Sequence, residues 1–232
     1  MRVNAVIVAA GEGKRMGGGP PKPLLLLAGR PIILHTLERF AASSVGKAVI
    51  VIAEAGRAKF ERILRASDLG RLEWTLQNGG PRRQDSVACG LDALDADCEV
   101  VVVHDAVRPL ASPALIDRCI EAARKEGAAV AGLPVSDTIK IVSRESRIES
   151  TPARDSLWAI QTPQAFRVEL LREAHRRAKI DRVDATDDAM LVERLGQTVV
   201  VVEGERQNLK ITTPEDLAYA EALLDRVDAK RS

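Results

Sequence analysis

Runs of almost unbroken apolar, β-branched residues recur along this chain, and helical stretches lie between them. VNAVIVA (3–9), KAVIVIA (47–53), EVVVVHD (99–105), GAAVAGLPV (127–135) and TVVVVEG (198–204) lack the polar alternation of a half-solvated strand. Continuous runs of this kind fit strands buried on both faces, as in a parallel sheet. LEWTLQ (72–77) reads as a further strand. Between them, PIILHTLERFAAS (31–43) repeats apolar residues at helical spacing through Ile33, Leu37 and Phe40. RAKFERILRAS (57–67), QDSVACGLDAL (84–94), VELLREAHRRA (168–178) and DDAMLVERLG (187–196) read as helices in the same way. SPALIDRCIEAARKEG (112–127) has Ser112 as N-cap, Pro113 at the first helical position and Gly127 past the end. The last helix begins TTPEDL (212–217), with Thr213 and Asp216 at capping-box spacing.

Strands alternating with helices imply βαβ units and an α/β fold. The expectation is a Rossmann-like, mostly parallel twisted sheet with helices on both faces, formed by residues 1–232 as a single domain. Ligands of such sheets bind beyond the carboxyl ends of the strands. The glycine loop after the first strand, the HDAVRP turn and the EGERQNLK segment are therefore expected on one edge. Residues 136–160 break the pattern. TIKIV and RIEST alternate and are joined through SRES, which predicts an exposed β-arm protruding from the sheet. An arm of this kind packs on a partner or covers a site.

Composition excludes several functions. The formal net charge is +1 and aromatic residues make up 3%, so no nucleic acid is expected as partner. Cys89, Cys98 and Cys119 fit no zinc or C-x-x-C spacing and read as buried thiols in a reducing compartment. His35, His104 and His175 form no H-E-x-x-H pair. No apolar stretch approaches the ~18 residues of a membrane span, and no secretory core is present. A cytoplasmic protein with no membrane contact is the expectation.

The loop VAAGEGKRMGGGPPKP (8–23) fails two familiar fingerprints. For G-x-G-x-x-G the third glycine position holds Met16; for the P-loop the first holds Val8, and Arg15 follows Lys14. Gly11 and Gly13 still allow close backbone approach to an anion, and Lys14, Arg15 and Lys22 supply positive charge. Spacing alone leaves two readings, a phosphate cradle and a mobile charged loop.

The stretch AAGEGKRMGGGPPKPLLLLAGRPI resembles the signature of sugar-nucleotide pyrophosphorylases and related nucleotidyltransferases. Six further motifs follow in order: GGPRRQDSVACGL, VVVHDAVRPL, PVSDTIKIV, LWAIQTPQAF, ATDDAMLVE and VEGERQNLKITTPEDL. Together they resemble the 2-C-methyl-D-erythritol 4-phosphate cytidylyltransferase family over nearly the whole chain. The resemblance implies an enzyme of non-mevalonate isoprenoid synthesis. CTP and 2-C-methyl-D-erythritol 4-phosphate would give 4-diphosphocytidyl-2-C-methyl-D-erythritol and pyrophosphate. The substrate phosphate would attack the α-phosphorus in line, without a protein nucleophile.

By position, the resemblance gives Arg15 and Lys22 the stabilisation of the transition state. GGGPP between them would let the loop close over CTP. Ala9, Ala10, Gly11 and Glu12 would border the nucleotide through backbone groups, Gly80 and Ser86 would lie at the cytosine, and Ala106 by the ribose. Asp105 ends an apolar strand, where a hard carboxylate suits Mg²⁺ bridging the triphosphate. Arg108 would be structural or approach the substrate phosphate. Arg154 and Lys210 would position the attacking phosphate, with Thr138, Lys140, Thr162 and Thr186 around it. Thr138, Lys140 and Arg154 lie on the 136–160 arm, which in the family embraces a second subunit, so a homodimer is implied. Asp187 and Asp188 read as first-turn acids of a helix. Arg82 and Arg83 are two candidates for one family arginine, and no further domain is expected after the last helix. Readings held beside this one are a ribitol 5-phosphate cytidylyltransferase, a sugar-1-phosphate nucleotidyltransferase, and a non-catalytic nucleotide-binding regulatory subunit.

Overall fold

The computed structural model describes residues 2–11 and 21–228. Its elements are β1 (Arg2–Val8), β2 (Leu26–Leu27), β3 (Arg30–Pro31), α1 (Ile32–Ala41), β4 (Lys47–Ile52) and α2 (Arg57–Arg65). Then come β5 (Glu73–Asn78), α3 (Arg83–Asp92), β6 (Cys98–Asp105), α4 (Pro113–Glu126) and β7 (Ala128–Pro134). The chain continues through β8 (Ile141–Val142), β9 (Ile148–Ser150), β10 (Trp158–Arg167), α5 (Val168–Asp181), α6 (Asp188–Glu193), β11 (Val200–Glu203) and α7 (Pro214–Asp228).

Seven strands form one sheet in the order β11-β7-β10-β6-β1-β4-β5. Pairing is parallel throughout except at β10, which runs antiparallel to both β6 and β7. The apolar runs of the inner strands are continuous because each of those strands feeds two cores. Val3, Ala5 and Ile7 of β1 and Ala48, Ile50 and Ile52 of β4 pack with Leu37 and Phe40 of α1, Phe60 of α2 and Ile116 of α4. Val6, Val49, Val51, Val101 and Val103 face the other way, against Val87 and Leu91 of α3, Leu171 of α5 and Leu191 of α6. A smaller cluster seats α7 through Ala220 and Leu224 on Leu27, Ile32 and Ile211. At the end of α4, Gly127 adopts φ +95, a conformation that few other residues tolerate.

The parallel strands expected from the sequence are present, with one addition and one revision. Residues 158–167 form the longest strand in the sheet, in a segment where the sequence pattern predicts no strand after RIEST (147–151). That revises the arm: Trp158, Ala159 and Ile160 pair with Pro134, Leu133 and Gly132 and so belong to the main sheet. What remains of TIKIV and RIEST is the short antiparallel pair β8–β9, every residue of which is exposed.

Candidate active site

The carboxyl ends of β1 and β6 and the loop that follows β5 meet at a cleft of about 500 Å³. Ala9, Ala10 and Gly11 continue β1 into it. Lys22 and Pro23 form one wall, Gly80 to Ser86 a second, and Lys210, Ile211 and Thr212 a third. Asp105 lies on its floor, at the last position of β6. Backbone hydrogen bonds tie these segments to the sheet: Ala9 N–H donates to Val51 C=O at 2.7 Å, Ala106 N–H to Val8 C=O at 3.0 Å, and Ile211 N–H to Val107 C=O at 2.9 Å. At Gly80 a side chain has no room, because a Cβ there would lie 2.4 Å from that of Asp85. The bare backbone of this loop is held by Ser86, whose hydroxyl donates to Gly80 C=O at 3.2 Å.

Asp105 has cations on both oxygens. Lys210 Nζ is 2.7 Å from Oδ2, Arg83 Nε is 3.3 Å from Oδ1, and Arg108 Nε is 3.9 Å from Oδ2. Burial alone would push this carboxyl up, but Arg83 and Lys210, with Arg108 behind them, hold it well below the usual carboxylate range. It is an anion at neutral pH and could hold a divalent cation. Its backbone is fixed too: Asp105 N–H donates to Thr162 Oγ1 at 3.1 Å. The Thr162 hydroxyl lies 3.1 Å from His104 Nδ1, and His104 Nε2 lies 3.1 Å from Arg108 C=O. Only Nε2–H can serve that carbonyl, so Nδ1 carries the lone pair that accepts the Thr162 proton. Burial lowers the His104 pKa to about 4, which keeps this ring neutral.

Of the residues singled out from the sequence, Ala9, Ala10, Gly11, Lys22, Gly80, Ser86, Asp105 and Lys210 meet in this cleft. Lys22 Nζ donates to Thr212 C=O at 2.8 Å, joining two walls. Ala106 is fully buried behind Asp105, and its carbonyl accepts from Thr36 at 2.9 Å. Arg108 donates to Asn208 C=O at 2.7 Å and thereby holds the segment that carries Lys210. Thr162 is buried, with both hydroxyl functions engaged below Asp105. Thr186 is exposed on the approach to α6. Thr138, Lys140 and Arg154 are exposed around the β8–β9 pair, outside the residues lining the cleft. Glu12, Arg15 and residues 17–20 of the GGGPP segment lie outside the described residues.

The two arginine candidates part company. Arg82 forks onto Asp85 at 2.8 Å and approaches Asp184 at 3.6 Å, both on the surface. Arg83 turns inward between Asp105 and Asp188. The spacing from Gly79 and Gly80 to Ser86 reaches Arg83 and could have separated them. Asp188 is a first-turn acid of α6, as the sequence predicts, while Asp187 is the N-cap, accepting from Met190 N–H at 3.0 Å. Asp188 is also 1% exposed, bound to Arg83 at 2.7 Å and to His175 at 2.9 Å, and so serves as a buried counterion as well. A polar His175 among Leu171, Ala174 and Ala178 on the core face of α5 was its one signal in the sequence.

Comparison with known proteins agrees with this arrangement. The family model described as IspD, 2-C-methyl-D-erythritol 4-phosphate cytidylyltransferase, matches residues 3–226. A protein of that name from Pelotomaculum thermopropionicum is 46% identical over 224 residues, covering 96% of this chain and 94% of the relative. The crystal structure of 4-diphosphocytidyl-2C-methyl-D-erythritol synthase from Anaerococcus prevotii superposes with a TM-score of 0.85 at 33% identity, over 97% of this chain and 96% of that one. The cytidylyltransferase from Thermus thermophilus gives a TM-score of 0.78 at 37% identity, over 96% and 98%. With its motifs in order, its sheet superposed and its cleft at the expected edge, the chain belongs to the 2-C-methyl-D-erythritol 4-phosphate cytidylyltransferase family.

Proposed function

We propose that the cleft around Asp105 is where this chain joins CTP to 2-C-methyl-D-erythritol 4-phosphate in isoprenoid synthesis. One observation carries the assignment to this cleft. Two lysines and a buried anion with its own arginine converge beside bare backbone at the carboxyl edge of the sheet. An oxygen of the acceptor phosphate attacks the α-phosphorus of CTP, and the bond from that phosphorus to the bridging oxygen breaks, releasing pyrophosphate. No side chain forms a bond to phosphorus, so the residues act by position and charge. Lys22 faces the triphosphate with Arg15, and both oppose the negative charge that grows on the α-phosphate and leaving group. The backbone of Ala9 to Glu12 borders the nucleotide, and Gly80 and Ser86 its base; Ala106, fully buried, supports the floor from behind rather than touching the ribose. Lys210 leaves Asp105 for the acceptor phosphate.

The cation in this reading is Mg²⁺. The donor set fits it: one ionised carboxylate, Asp105, faces the cleft, and Mg²⁺ is commonly bound by one or two carboxylates together with substrate phosphates. Among the described residues no group of three or more His, Cys, Asp and Glu side chains could cage a metal alone, which suits an ion that arrives with its nucleotide. When bound, the ion neutralises phosphate charge.

The acceptor side is completed by a second copy of the chain. Ile141, Val142 and Ile148 of the β8–β9 pair, with Ile139, Trp158 and Ile160 beside them, are exposed large apolar side chains. A cluster of this kind marks an interaction surface. Arg154, Thr138 and Lys140 on the same excursion would then reach the neighbour's acceptor phosphate, opposite its Thr162 and Thr186. No described helix is long and apolar enough to cross a membrane, and the reading places the enzyme in the cytoplasm.

Pyrophosphate release tests the assignment. With Mg²⁺ and CTP, release is expected with methylerythritol phosphate and not with ribitol 5-phosphate or without acceptor. Equal turnover of ribitol 5-phosphate would change the acceptor, and no turnover with either would overturn the reading. Lys22→Ala is expected to lower kcat on the order of 10²-fold or more, as when a transition-state donor is lost. A near-normal rate would remove Lys22 from that role.

A further inference from the structure

The cluster beneath the cleft extends further than the reaction requires. Arg83 NH1 bonds Asp188 Oδ2 at 2.7 Å while its Nε lies 3.3 Å from Asp105 Oδ1. Asp188 is fully desolvated, and its other oxygen is 2.9 Å from His175 Nε2. Burial would lower the pKa of Arg83, and the two carboxylates outweigh it, so the guanidinium stays charged between them. A guanidinium is a planar fork with fixed donor directions, so one side chain can bridge two anions at a set separation. The chain His175–Asp188–Arg83–Asp105 thus runs from the core face of α5 to the floor of the cleft.

The charges explain what this arrangement does for Lys210. With Lys210 in place, Asp105 and Asp188 face Arg83, Arg108 and Lys210. When Lys210 leaves, two carboxylates and two guanidinium groups remain, and the fixed cluster is neutral. The departure also leaves Asp105 with donors on both sides. Arg83 stays on Oδ1, and Arg108 Nε, buried and without a hydrogen-bond partner among the described residues, stands 3.9 Å from Oδ2. A lysine that was the sole counterion of a buried carboxylate would be costly to withdraw, because it would leave a buried charge unpaired. Half of Lys210 is in water, whereas Arg83 is mostly buried and pinned at both ends. The exchangeable cation is Lys210, and the fixed one is Arg83.

We infer that Arg83 is a positioning residue, anchored by Asp188 and His175, that holds the Asp105 carboxylate so that Lys210 can pass from it to a substrate phosphate. The inference rests on the cytidylyltransferase reading for the identity of that phosphate, while the exchange itself is a property of the cluster.

Two measurements on the full-length enzyme test it. The first needs no turnover: the rate at which acetic anhydride acylates Lys210, followed by peptide mass spectrometry. In Arg83→Gln, Asp105 loses its fixed cation and grips Lys210 harder, so acylation of Lys210 slows several-fold while other lysines keep their rates. Adding Asp105→Asn removes the grip and restores fast labelling. An unchanged Lys210 rate in Arg83→Gln overturns the inference, whether or not the parent makes product. The second measurement is kinetic. Asp188→Asn keeps its shape and is expected to lower kcat by about tenfold, the scale seen when the support of a site ligand is removed. In the Arg83→Gln background the same change is expected to cost less than about twofold, since residues acting through one another are not additive. Equal losses in both backgrounds would mean that Asp188 supports only the fold. If Arg83→Gln does not fold, Arg83→Met, which removes the charge and keeps an unbranched stem, takes its place in both measurements.

Discussion

His104 lies directly under the floor of the cleft and has no room to become a cation. Its Nε2 serves a carbonyl, its Nδ1 accepts from Thr162, and its ring packs on Phe40 with centroids 5.0 Å apart. Protonation would place a second hydrogen against the Thr162 hydroxyl, in a site already crowded with Arg83 and Arg108. Burial lowers its pKa from 6.5 to about 4. Between those values the unfolded chain binds a proton and the folded chain does not, so stability rises with pH across the window and falls as pH drops through it. The full shift corresponds to about 3 kcal/mol. Urea unfolding of the metal-free protein between pH 7 and pH 4.5 measures it. His104→Gln should show a shallower loss of stability on acidification than the parent, and an identical slope would mean that His104 does not titrate this way. At this scale the sequence was informative about Asp105, a carboxylate that ends an apolar strand. It was silent about Asp105's surroundings, because Arg83, Thr162 and Lys210 reach it from segments 22 to 105 positions away. The sequence placed Asp188 in a helix first turn and missed its partner for the same reason: nothing local says that an arginine from α3 lies against it.

α4 begins where two jobs meet in one side chain. The Ser112 Oγ accepts from Leu115 N–H at 3.0 Å, the ordinary N-cap bond. Its hydroxyl proton goes to Glu205 at 2.5 Å, and its backbone N–H to the other oxygen of Glu205 at 3.1 Å. Glu205 begins the segment that leads through Asn208 to Lys210, and Asn208 is itself bonded to Gln161 Oε1 and Thr162 C=O. The helix start therefore helps to locate a wall of the cleft. Ser112→Ala removes the cap and one partner of Glu205, and is expected to lower stability by about 1–2 kcal/mol. An unchanged urea midpoint would show that neither bond contributes. The elements themselves were legible wherever periodicity and caps agreed, as for α4 with Ser112, Pro113 and Gly127. β10 was not. Its inner half is buried and its outer half exposed, Pro163 interrupts the run, and its register with β7 shifts between Ile160 and Gln164. A strand that is half core and half surface has neither the unbroken nor the alternating pattern by which strands are read.

A single copy of the chain assembles the cleft but leaves Thr138, Lys140 and Arg154 on exposed backbone away from it. Among the described residues, Arg154 donates to Ser136 C=O at 3.1 Å and Lys140 to Thr151 at 2.6 Å, bonds within their own excursion. The proposed two-fold dimer gives these residues a destination, because in an isologous pair each excursion lies over its neighbour. It also dictates how activity must be distributed. If Arg154 acts in its own subunit, mixing an Arg154→Ala protein with a Lys22→Ala protein gives no intact site in any pairing. If it acts across the interface, each mixed dimer holds one site with both residues and one with neither. Random exchange makes half the dimers mixed, so about a quarter of the parent activity should return from two nearly inactive proteins. The exchange is driven by mild urea and dilution and confirmed by mass spectrometry of differently labelled chains. Ile141→Asp with Ile148→Asp in both partners should abolish the recovery by keeping the chains apart in sedimentation. Recovery that persists in monomers, or mixed dimers with no more activity than their parents, would end the case for a shared site.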